Sequence, residues 1–289
     1  MIWLPVTSKE LVLEIGSGHN PHPRSDILVD RWLYQDRERQ RKVIKIDRPT
    51  IIADGCKLPF TNQSFDFVLC NQVIEHVEKP DQFVKEIARV AKRGLIITPH
   101  LLRERIFGWH YHRWFIDMKD DFLYFYPKKE TQQTQFAHFI HVLYAHIYNF
   151  RHFIDSLDKK INIYYQWEKD IKIKISDDPE KILNIYDKKA GELLQQVTYS
   201  LKNLINQWAS EKYERVVNCC YYWYEKIVRF KFRKVLKANI IKNLCCLKCG
   251  SQSISNKDKL LVCQKCKQTY ILENGIPIML NKHDLSKGY

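Results

Sequence analysis

The chain has 289 residues, 45% of them hydrophobic and 28% charged, which is typical of a globular protein and leaves room for one α/β domain with smaller units. No stretch approaches the ~20 apolar residues that cross a bilayer, so no transmembrane helix is expected. The net charge is +14, and residues 141–289 carry +11 of it, which suits RNA or another anionic surface.

The first predicted strand, Val12–Ile15, carries Glu14 and leads into the turn Gly16-Ser17-Gly18. Glycines there allow positive φ angles and a close approach to a ligand. The third glycine of a dinucleotide-binding G-x-G-x-x-G turn is missing, because the next residues are His19-Asn20-Pro21-His22-Pro23. Prolines fix φ and lack an amide proton, so we expect a rigid turn instead of a helix, with both histidines as loop residues and not metal ligands.

Three further predicted strands each end on a polar side chain. Ile27–Val29 is followed by Asp30, Thr50–Ala53 by Asp54 and Phe65–Cys70 by Asn71. Because parallel strands place their carboxyl ends side by side, we expect these groups and Glu14 to line one crevice. A carboxylate at the second strand suits a ribose diol, and Asp54 suits an adenine amino group. Asp and Asn also favour strand ends for local reasons, but four in order indicate an adenosine ligand without a phosphate clamp.

Residues 53–80, ADGCKLPFTNQSFDFVLCNQVIEHVEKP, resemble the class I S-adenosylmethionine-dependent methyltransferases, in particular those with a methyltransferase type 11-like domain. The resemblance covers roughly the first 120 residues and implies a Rossmann-like sheet with helices on both faces. It also implies S-adenosyl-L-methionine as cofactor. By the resemblance Glu14, Gly16 and Gly18 surround the methionine part, Asp30 holds the ribose, Asp54 meets the adenine with Gly55 beside it, and Asn71 lies next to the methionine.

Four more predicted elements complete the α/β part of the chain. Asp81–Lys92 has apolar residues on one helical face, and Gly94–Thr98 predicts a fifth strand. Asn162–Gln166 and Ile171–Ile175 flank a polar turn, which predicts a hairpin that completes the sheet.

The region from Asp178 to about Lys242 predicts a helical spacer, since an Asp-Pro-Glu start is typical of a helix N-terminus. Within it, Lys212–Lys237 predicts one long helix in which basic and aromatic residues alternate. Such a helix suits phosphates or bases, but aromatic residues at helical spacing also bury against a core while lysines extend to solvent.

The cysteines near the end form two C-x2-C pairs, Cys246 with Cys249 and Cys263 with Cys266. This spacing is typical of a zinc ribbon with a closed, structural Zn(II) site, and Lys248, Lys265 and Lys267 would favour the thiolate forms. Cys245 is an alternative metal ligand in place of Cys246. Residues 246–280 resemble the small zinc-binding activator proteins that partner tRNA, ribosomal RNA and release-factor methyltransferases.

The predicted domains are a methyltransferase domain over residues 1–176, the helical spacer over 177–243 and a zinc ribbon over 244–282. The first five residues are too short for a signal peptide and lack a basic region, so we expect a cytoplasmic protein without disulfides. Oligomeric state is not determined by the sequence.

The catalytic candidates are His100, His76 and Arg113. The two histidines follow predicted strands near the crevice, and histidine accepts a proton at neutral pH. Arg113, in the segment HYHRWF, suits a carboxylate or phosphate on the acceptor.

The leading hypothesis is a methyltransferase that methylates an oxygen or nitrogen of an unidentified acceptor, with a small molecule or glycan ranked above RNA or protein. The alternative is a non-catalytic methyltransferase-like scaffold that binds RNA or a partner enzyme through the basic helix and the zinc ribbon. Cofactor binding discriminates the two hypotheses.

Overall fold

Thirteen strands form two sheets in a computed structural model that describes residues 2–34, 42–129, 137–176, 179–195, 219–223, 225–226, 229, 240–281 and 285. The strands are β1 Val12–Ile15, β2 Ile27–Asp30, β3 Thr50–Ala53, β4 Phe65–Asn71, β5 Ala91–Pro99, β6 Trp114–Lys119, β7 Phe122–Pro127, β8 Asn162–Glu168, β9 Ile173–Ile175, β10 Ile254–Lys257, β11 Leu260–Cys263, β12 Thr269–Glu273 and β13 Ile276–Met279. The larger sheet has the order β10-β11-β12-β13-β3-β2-β1-β4-β5-β8, and the smaller has the order β6-β7-β9.

Six α-helices and two 3-10 turns have bounds within the described residues, which are also helical over 219–223 and 225–226. The helices are α1 Pro80–Val90, α2 Leu101–Phe107, α3 Ala137–His146, α4 Tyr148–Ser156, α5 Asp158–Ile161 and α6 Glu180–Gln195, and the 3-10 turns are Ile74–His76 and Ile240–Asn243. None of the helices in this part of the chain is long and apolar enough to cross a membrane.

The central strands β3-β2-β1-β4-β5 run parallel and are buried on both sides. On one face, α1 packs with its apolar stripe, which includes Phe83 and Ile87, against strand residues such as Leu13. On the other face, Val12 and its neighbours pack beneath the N-terminal segment around Leu4. The strand order reverses between β1 and β4, and open α/β sheets bind ligands at such a point. The predicted Rossmann-like α/β class is confirmed.

The predicted hairpin at the end of the sheet is wrong in its second half. β8 pairs antiparallel with β5 and closes the larger sheet, as predicted. The second segment, β9, pairs in parallel with β7 in the smaller sheet, and only one bridge, Glu168 to Asp170, joins the two halves. The partner of β9 is the edge of β7 opposite β6, and the sequence pattern of residues 162–175 does not indicate this pairing.

The other predicted boundaries need small changes. The helix predicted over Asp81–Lys92 runs from Pro80 to Val90, because Ala91 already starts β5, which was predicted from Gly94. No helix lies between β1 and β2, so a turn in place of the first helix is confirmed. Most of the predicted Lys212–Lys237 helix lies outside the described residues.

The cysteine-rich segment continues the central sheet. Its strands β10 to β13 form an antiparallel meander, and β13 pairs in parallel with β3 through Ile278–Ile52 and Met279–Ala53. Leu261 and Tyr270 of this segment belong to the same hydrophobic cluster as Leu13 and Ile51. The segment is therefore packed on the Rossmann-like sheet, and its burial contributes to the same core.

One buried ion cluster ties the basic region to the sheet. Asp26 lies just before β2 and is fully buried, and it accepts hydrogen bonds from Arg24 Nη1 at 3.0 Å and from Arg229 Nε at 2.7 Å. The two guanidinium groups are also almost fully buried. Arg229 thus contributes to packing, and it belongs to the predicted basic, aromatic-rich helix, for which the sequence left phosphate binding and packing against a core as alternatives.

We expect Asp26→Ala to lower the free energy of unfolding by about 3–5 kcal/mol, because it leaves two buried guanidinium groups without their shared carboxylate. Urea unfolding followed by circular dichroism measures the change. Lys92→Ala is the matched control: its ion pair with Asp66, at 2.7 Å, is largely exposed, so it should cost less than about 1 kcal/mol. Equal effects in the two variants would contradict the assigned role of Asp26.

Candidate methyl-donor crevice and cysteine cluster

The glycine turn after β1 is closely packed. Gly16 has a φ of +69°, and a Cβ atom there would lie 2.2 Å from Val73 Cγ2 in the segment after β4. The Gly16 amide donates to the Val29 carbonyl at 2.8 Å, and the Gly18 amide donates to Asp30 Oδ2 at 2.9 Å. The backbone at the carboxyl ends of β1, β2 and β4 is thereby held together, and only a glycine fits at position 16.

Glu14 is buried inside this turn. Its Oε2 accepts a hydrogen bond from the His22 amide at 2.8 Å, while the His22 ring contacts the Ile2 carbonyl. Burial raises the pKa of Glu14 to about 7, and burial also lowers the pKa of His22 to about 4. His22 belongs to the packed turn, and neither His19 nor His22 belongs to a potential metal-binding group among the described residues.

We expect S-adenosylmethionine to bind more tightly as the pH rises through about 7, because the cationic methionine part of the cofactor favours ionised Glu14. The pKa of Glu14 in the folded protein is raised to about 7, so its carboxyl group is mostly protonated at a pH of about 6 and mostly ionised at about 8. The affinity for S-adenosylmethionine should therefore rise roughly tenfold between these two pH values. Because the unfolded chain loses this proton at a lower pH than the folded protein does, the free energy of unfolding should fall as the pH rises from about 4.5 to 7. Titration calorimetry at several pH values measures the slope, and Glu14→Gln should flatten it. A slope that persists in the variant would contradict the role of Glu14.

The other predicted cofactor residues lie at the same edge of the sheet. Asp30 ends β2, where its Oδ2 faces the Gly18 amide and its Oδ1 accepts from the Trp32 amide at 3.0 Å. Asp54 follows β3, with Oδ2 3.2 Å from Arg31 Nη1 and Oδ1 accepting from the Cys56 amide.

Two further positions complete this edge. A Cβ atom at Gly55 would lie 2.5 Å from the Phe83 ring, so glycine is needed there for α1 to pack. Asn71 is the last residue of β4, next to β5 at Ile97. The fold therefore brings all of the predicted cofactor residues to one edge, as the strand pattern predicts.

His100 is held by contacts on both ring nitrogens. Nδ1 accepts a hydrogen bond from the Leu102 amide at 3.0 Å and caps α2, while Nε2 lies 2.9 Å from Asp117 Oδ1. The Tyr186 hydroxyl also donates to Asp117 Oδ1, at 3.1 Å. These contacts fix the ring, and the Nδ1 bond assigns the proton to Nε2.

His76 and Arg113 meet at the turn that follows β4. The His76 ring stacks on Tyr111 with 5.5 Å between ring centroids, and burial lowers its pKa to about 3. The Arg113 amide donates to the Glu75 carbonyl at 2.8 Å, while its side chain is exposed. A general base acts best with a pKa near the working pH, so His76 in this environment is a weak proton acceptor.

The four predicted metal ligands form a compact cluster. The sulfur atoms of Cys246 and Cys266 lie 3.6 Å apart, as do those of Cys249 and Cys263. Four thiolates around a tetrahedral Zn(II) with bonds of ≈ 2.3 Å would lie about 3.8 Å apart, so the donor set fits such an ion. Cys245 is not a member of this cluster, and its amide donates to the Pro59 carbonyl.

Hydrogen bonds favour the thiolate form of Cys246, which is the form that binds a metal ion. Burial opposes ionisation of Cys246, but the Tyr270 hydroxyl and the amides of Cys249 and Lys248 lower the pKa of its thiol to about 6. Lys248 therefore acts through its amide, whereas the sequence suggested a role for its ammonium group. None of the nine cysteines is paired in a disulfide.

Several residues of these sites were not recognised from the sequence. Glu104 on α2 binds His112 Nδ1 at 2.7 Å and also contacts Lys128 Nζ. Asp117 binds His100, and Tyr270 contacts Cys246 Sγ at 3.2 Å. No motif marks these residues, because each reaches its partner only through the packing of distant segments.

Residues 28–98, about a quarter of the chain, match the family model described as a methyltransferase domain. A curated relative, an uncharacterized protein of Methanocaldococcus jannaschii, is 36% identical over 85 residues, which are 29% of this chain and 40% of the relative. The chain thus spans less than half the length of this relative.

Two of the similar solved structures come from an archaeon and a bacterium. One is a chain of the complex between the Haloferax volcanii Trm112 methyltransferase activator and a candidate methyltransferase, with 20% identity, 32% of this chain and 46% of that chain covered, and a TM-score of 0.27. The other is an S-adenosylmethionine-dependent methyltransferase of Thermotoga maritima, with 26% identity, coverages of 34% and 48%, and a TM-score of 0.26.

The matched segment runs from β2 through β5 and contains Asp30, Asp54, Gly55 and Asn71. These residues line the carboxyl edge of a parallel sheet, next to the glycine turn that follows β1. Residues 28–98 are therefore similar to a methyltransferase domain, and they form part of a Rossmann-like sheet.

Proposed function

We propose that the protein transfers a methyl group from S-adenosylmethionine to an oxygen or nitrogen atom of an acceptor, with a small molecule or glycan favoured over RNA or protein. The observation that carries the proposal is the convergence of Glu14, Asp30, Asp54 and Asn71 around the glycine turn at the point where the strand order reverses. A carboxylate at the end of β2 suits a ribose diol, and the turn has no phosphate-binding helix.

The chain's residues contribute mainly by positioning. Methyl transfer from a sulfonium requires the acceptor atom to lie in line behind the methyl carbon, and a base is needed only for a hydroxyl or a protonated amine. We assign the walls of the acceptor site to the segments around His76, His100 and Arg113, which border the carboxyl ends of β4 and β5. Arg113 is available for an anionic group, since its side chain is exposed.

The preference for a small acceptor depends on the basic half of the chain. Arg229 is directed into the buried ion cluster with Asp26, and the nearby Tyr222 hydroxyl accepts a hydrogen bond at 2.8 Å from Lys45, which belongs to the first half of the chain. At least one positive charge of this half is therefore buried in an ion pair within the chain and does not face a partner. This favours a small acceptor over RNA. We also propose a structural Zn(II) in the cysteine cluster, because its four sulfur atoms fit a closed tetrahedral site. A cytoplasmic location suits the free thiols.

Isothermal titration of the full-length protein with S-adenosylmethionine and, in parallel, with NADH tests the proposal. We expect micromolar binding of S-adenosylmethionine only, because Asp30 suits a ribose diol while the turn lacks the third glycine of a dinucleotide site. Absence of binding by either compound would overturn the proposal and favour the scaffold hypothesis, in which case salt-dependent RNA binding becomes the next measurement.

A further inference from the structure

Two segments at the carboxyl edge of the sheet bring an acidic side chain and two imidazoles together. Glu75 and His76 lie in the 3-10 turn after β4, and His112 lies in the loop between α2 and β6. One ligand atom from each residue lies within 4.8 Å of the other two. This group is separate from the cysteine cluster and from the residues assigned to the cofactor.

Glu75 is the first observation that indicates a ligand. Its side chain is 1% exposed, and its Oε2 accepts a hydrogen bond from the Thr98 hydroxyl at 2.9 Å. Its Oε1 is also buried and has no hydrogen-bond partner among the described residues. A buried carboxylate oxygen in this state is costly unless a proton or a cation joins it.

His112 is the second observation, because its ring is oriented by another carboxylate. Nδ1 lies 2.7 Å from Glu104 Oε2, and Glu104 is in turn paired with Lys128. With the proton on Nδ1, the lone pair is on Nε2. A carboxylate that holds one ring nitrogen in this way is the usual second partner of a metal-binding histidine.

We propose that Glu75, His76 and His112 bind a divalent first-row transition-metal ion, such as zinc. Two imidazole nitrogens and one carboxylate oxygen form a donor set that zinc and its neighbours accept, with at least one position left for water. This proposal does not depend on the proposed methyl transfer, because binding of the ion is measured in the absence of a methyl donor and an acceptor.

The spacing of the group is compatible with a metal ion. Ligand atoms around a tetrahedral zinc with bonds of ≈ 2.0–2.1 Å lie about 3.3 Å apart, and the ligand atoms of this group lie within 4.8 Å of one another. The ion would then join the turn after β4 to the loop before β6. We infer that it stabilises this side of the proposed acceptor site.

The experiment uses the full-length protein with its cysteine cluster already loaded with zinc. After equilibration with excess zinc and gel filtration, elemental analysis should find about one zinc per chain beyond the one in the cysteine cluster. Glu75→Gln preserves the shape of the side chain and the contact with Thr98, and it should lose the additional zinc and bind it at least about 100-fold more weakly in calorimetry. His112→Asn is a second variant with the same expected loss.

The matched control is His110→Asn, because His110 is exposed in the same loop and lies outside the group. It should retain the additional zinc, and circular dichroism of each variant reports whether it is folded. The proposal is overturned if the wild type binds zinc only at the cysteine cluster, or if folded Glu75→Gln binds zinc as tightly as the wild type.

Discussion

Asp30→Ala should weaken S-adenosylmethionine binding by about 100-fold or more. The variant removes a carboxylate proposed to accept two ribose hydroxyl hydrogen bonds, each worth about 1.5–3 kcal/mol for a charged acceptor. It also releases the Gly18 amide, which Asp30 Oδ2 holds at 2.9 Å, so the glycine turn loses a contact that shapes it. Calorimetric titration of the purified variant measures the loss.

Asp66→Ala is the control for this experiment. Asp66 also accepts a backbone amide hydrogen bond, from Leu11 at 2.9 Å, but it lies near the start of β4, at the opposite edge of the sheet from the crevice. It should bind the cofactor like the wild type. If Asp30→Ala bound the cofactor as well as Asp66→Ala does, the crevice would be assigned to the wrong residues.

Loss of the cysteine cluster should have the second large effect. We expect Cys263→Ser with Cys266→Ser to remove one zinc per chain and to lower the midpoint of thermal unfolding by about 10 °C or more, because structural zinc contributes about 10–16 kcal/mol to folding of its own module. The effect should reach the whole domain, since β13 pairs with β3 and Leu261 and Tyr270 belong to the main core.

Elemental analysis and differential scanning calorimetry measure the two quantities. The paired control is Cys219→Ser with Cys220→Ser, because these thiols are exposed and lie outside the cluster. An unchanged zinc content in the cluster variant would contradict the assignment of its ligands. A loss of zinc with an unchanged midpoint would show that the segment folds independently of the sheet.

The elements that the sequence predicted well are those with a strong local pattern. β2 to β4 are short, largely apolar runs with a polar residue at or just after the end, and their order in the chain already places Asp30, Asp54 and Asn71 at one edge once the strands are parallel. The C-x2-C spacings likewise identify four ligands, because each pair fits one tight turn around an ion. Gly16 and Gly18 were also recognised from a local pattern, because a positive φ restricts the residue type.

The features that the sequence did not predict depend on contacts between distant segments. β9 leaves the predicted hairpin because β7 offers it an edge, and β13 extends the central sheet through its pairing with β3. The position of Arg229 against Asp26 is likewise decided by packing, since a basic residue in an aromatic-rich segment has the same local pattern whether it binds phosphate or a buried carboxylate.

The amino-acid sequence by itself determined the Rossmann-like strands, the glycine turn, the edge that carries the predicted cofactor residues and the cysteine quartet, because these follow from local backbone preferences and from spacing. Only the tertiary structure decided that both ring nitrogens of His100 are engaged, that Glu104 orients His112, and that Glu75 lies buried beside two imidazoles. Those arrangements arise from long-range packing, in which burial and the choice of hydrogen-bond partner depend on residues far away in the chain.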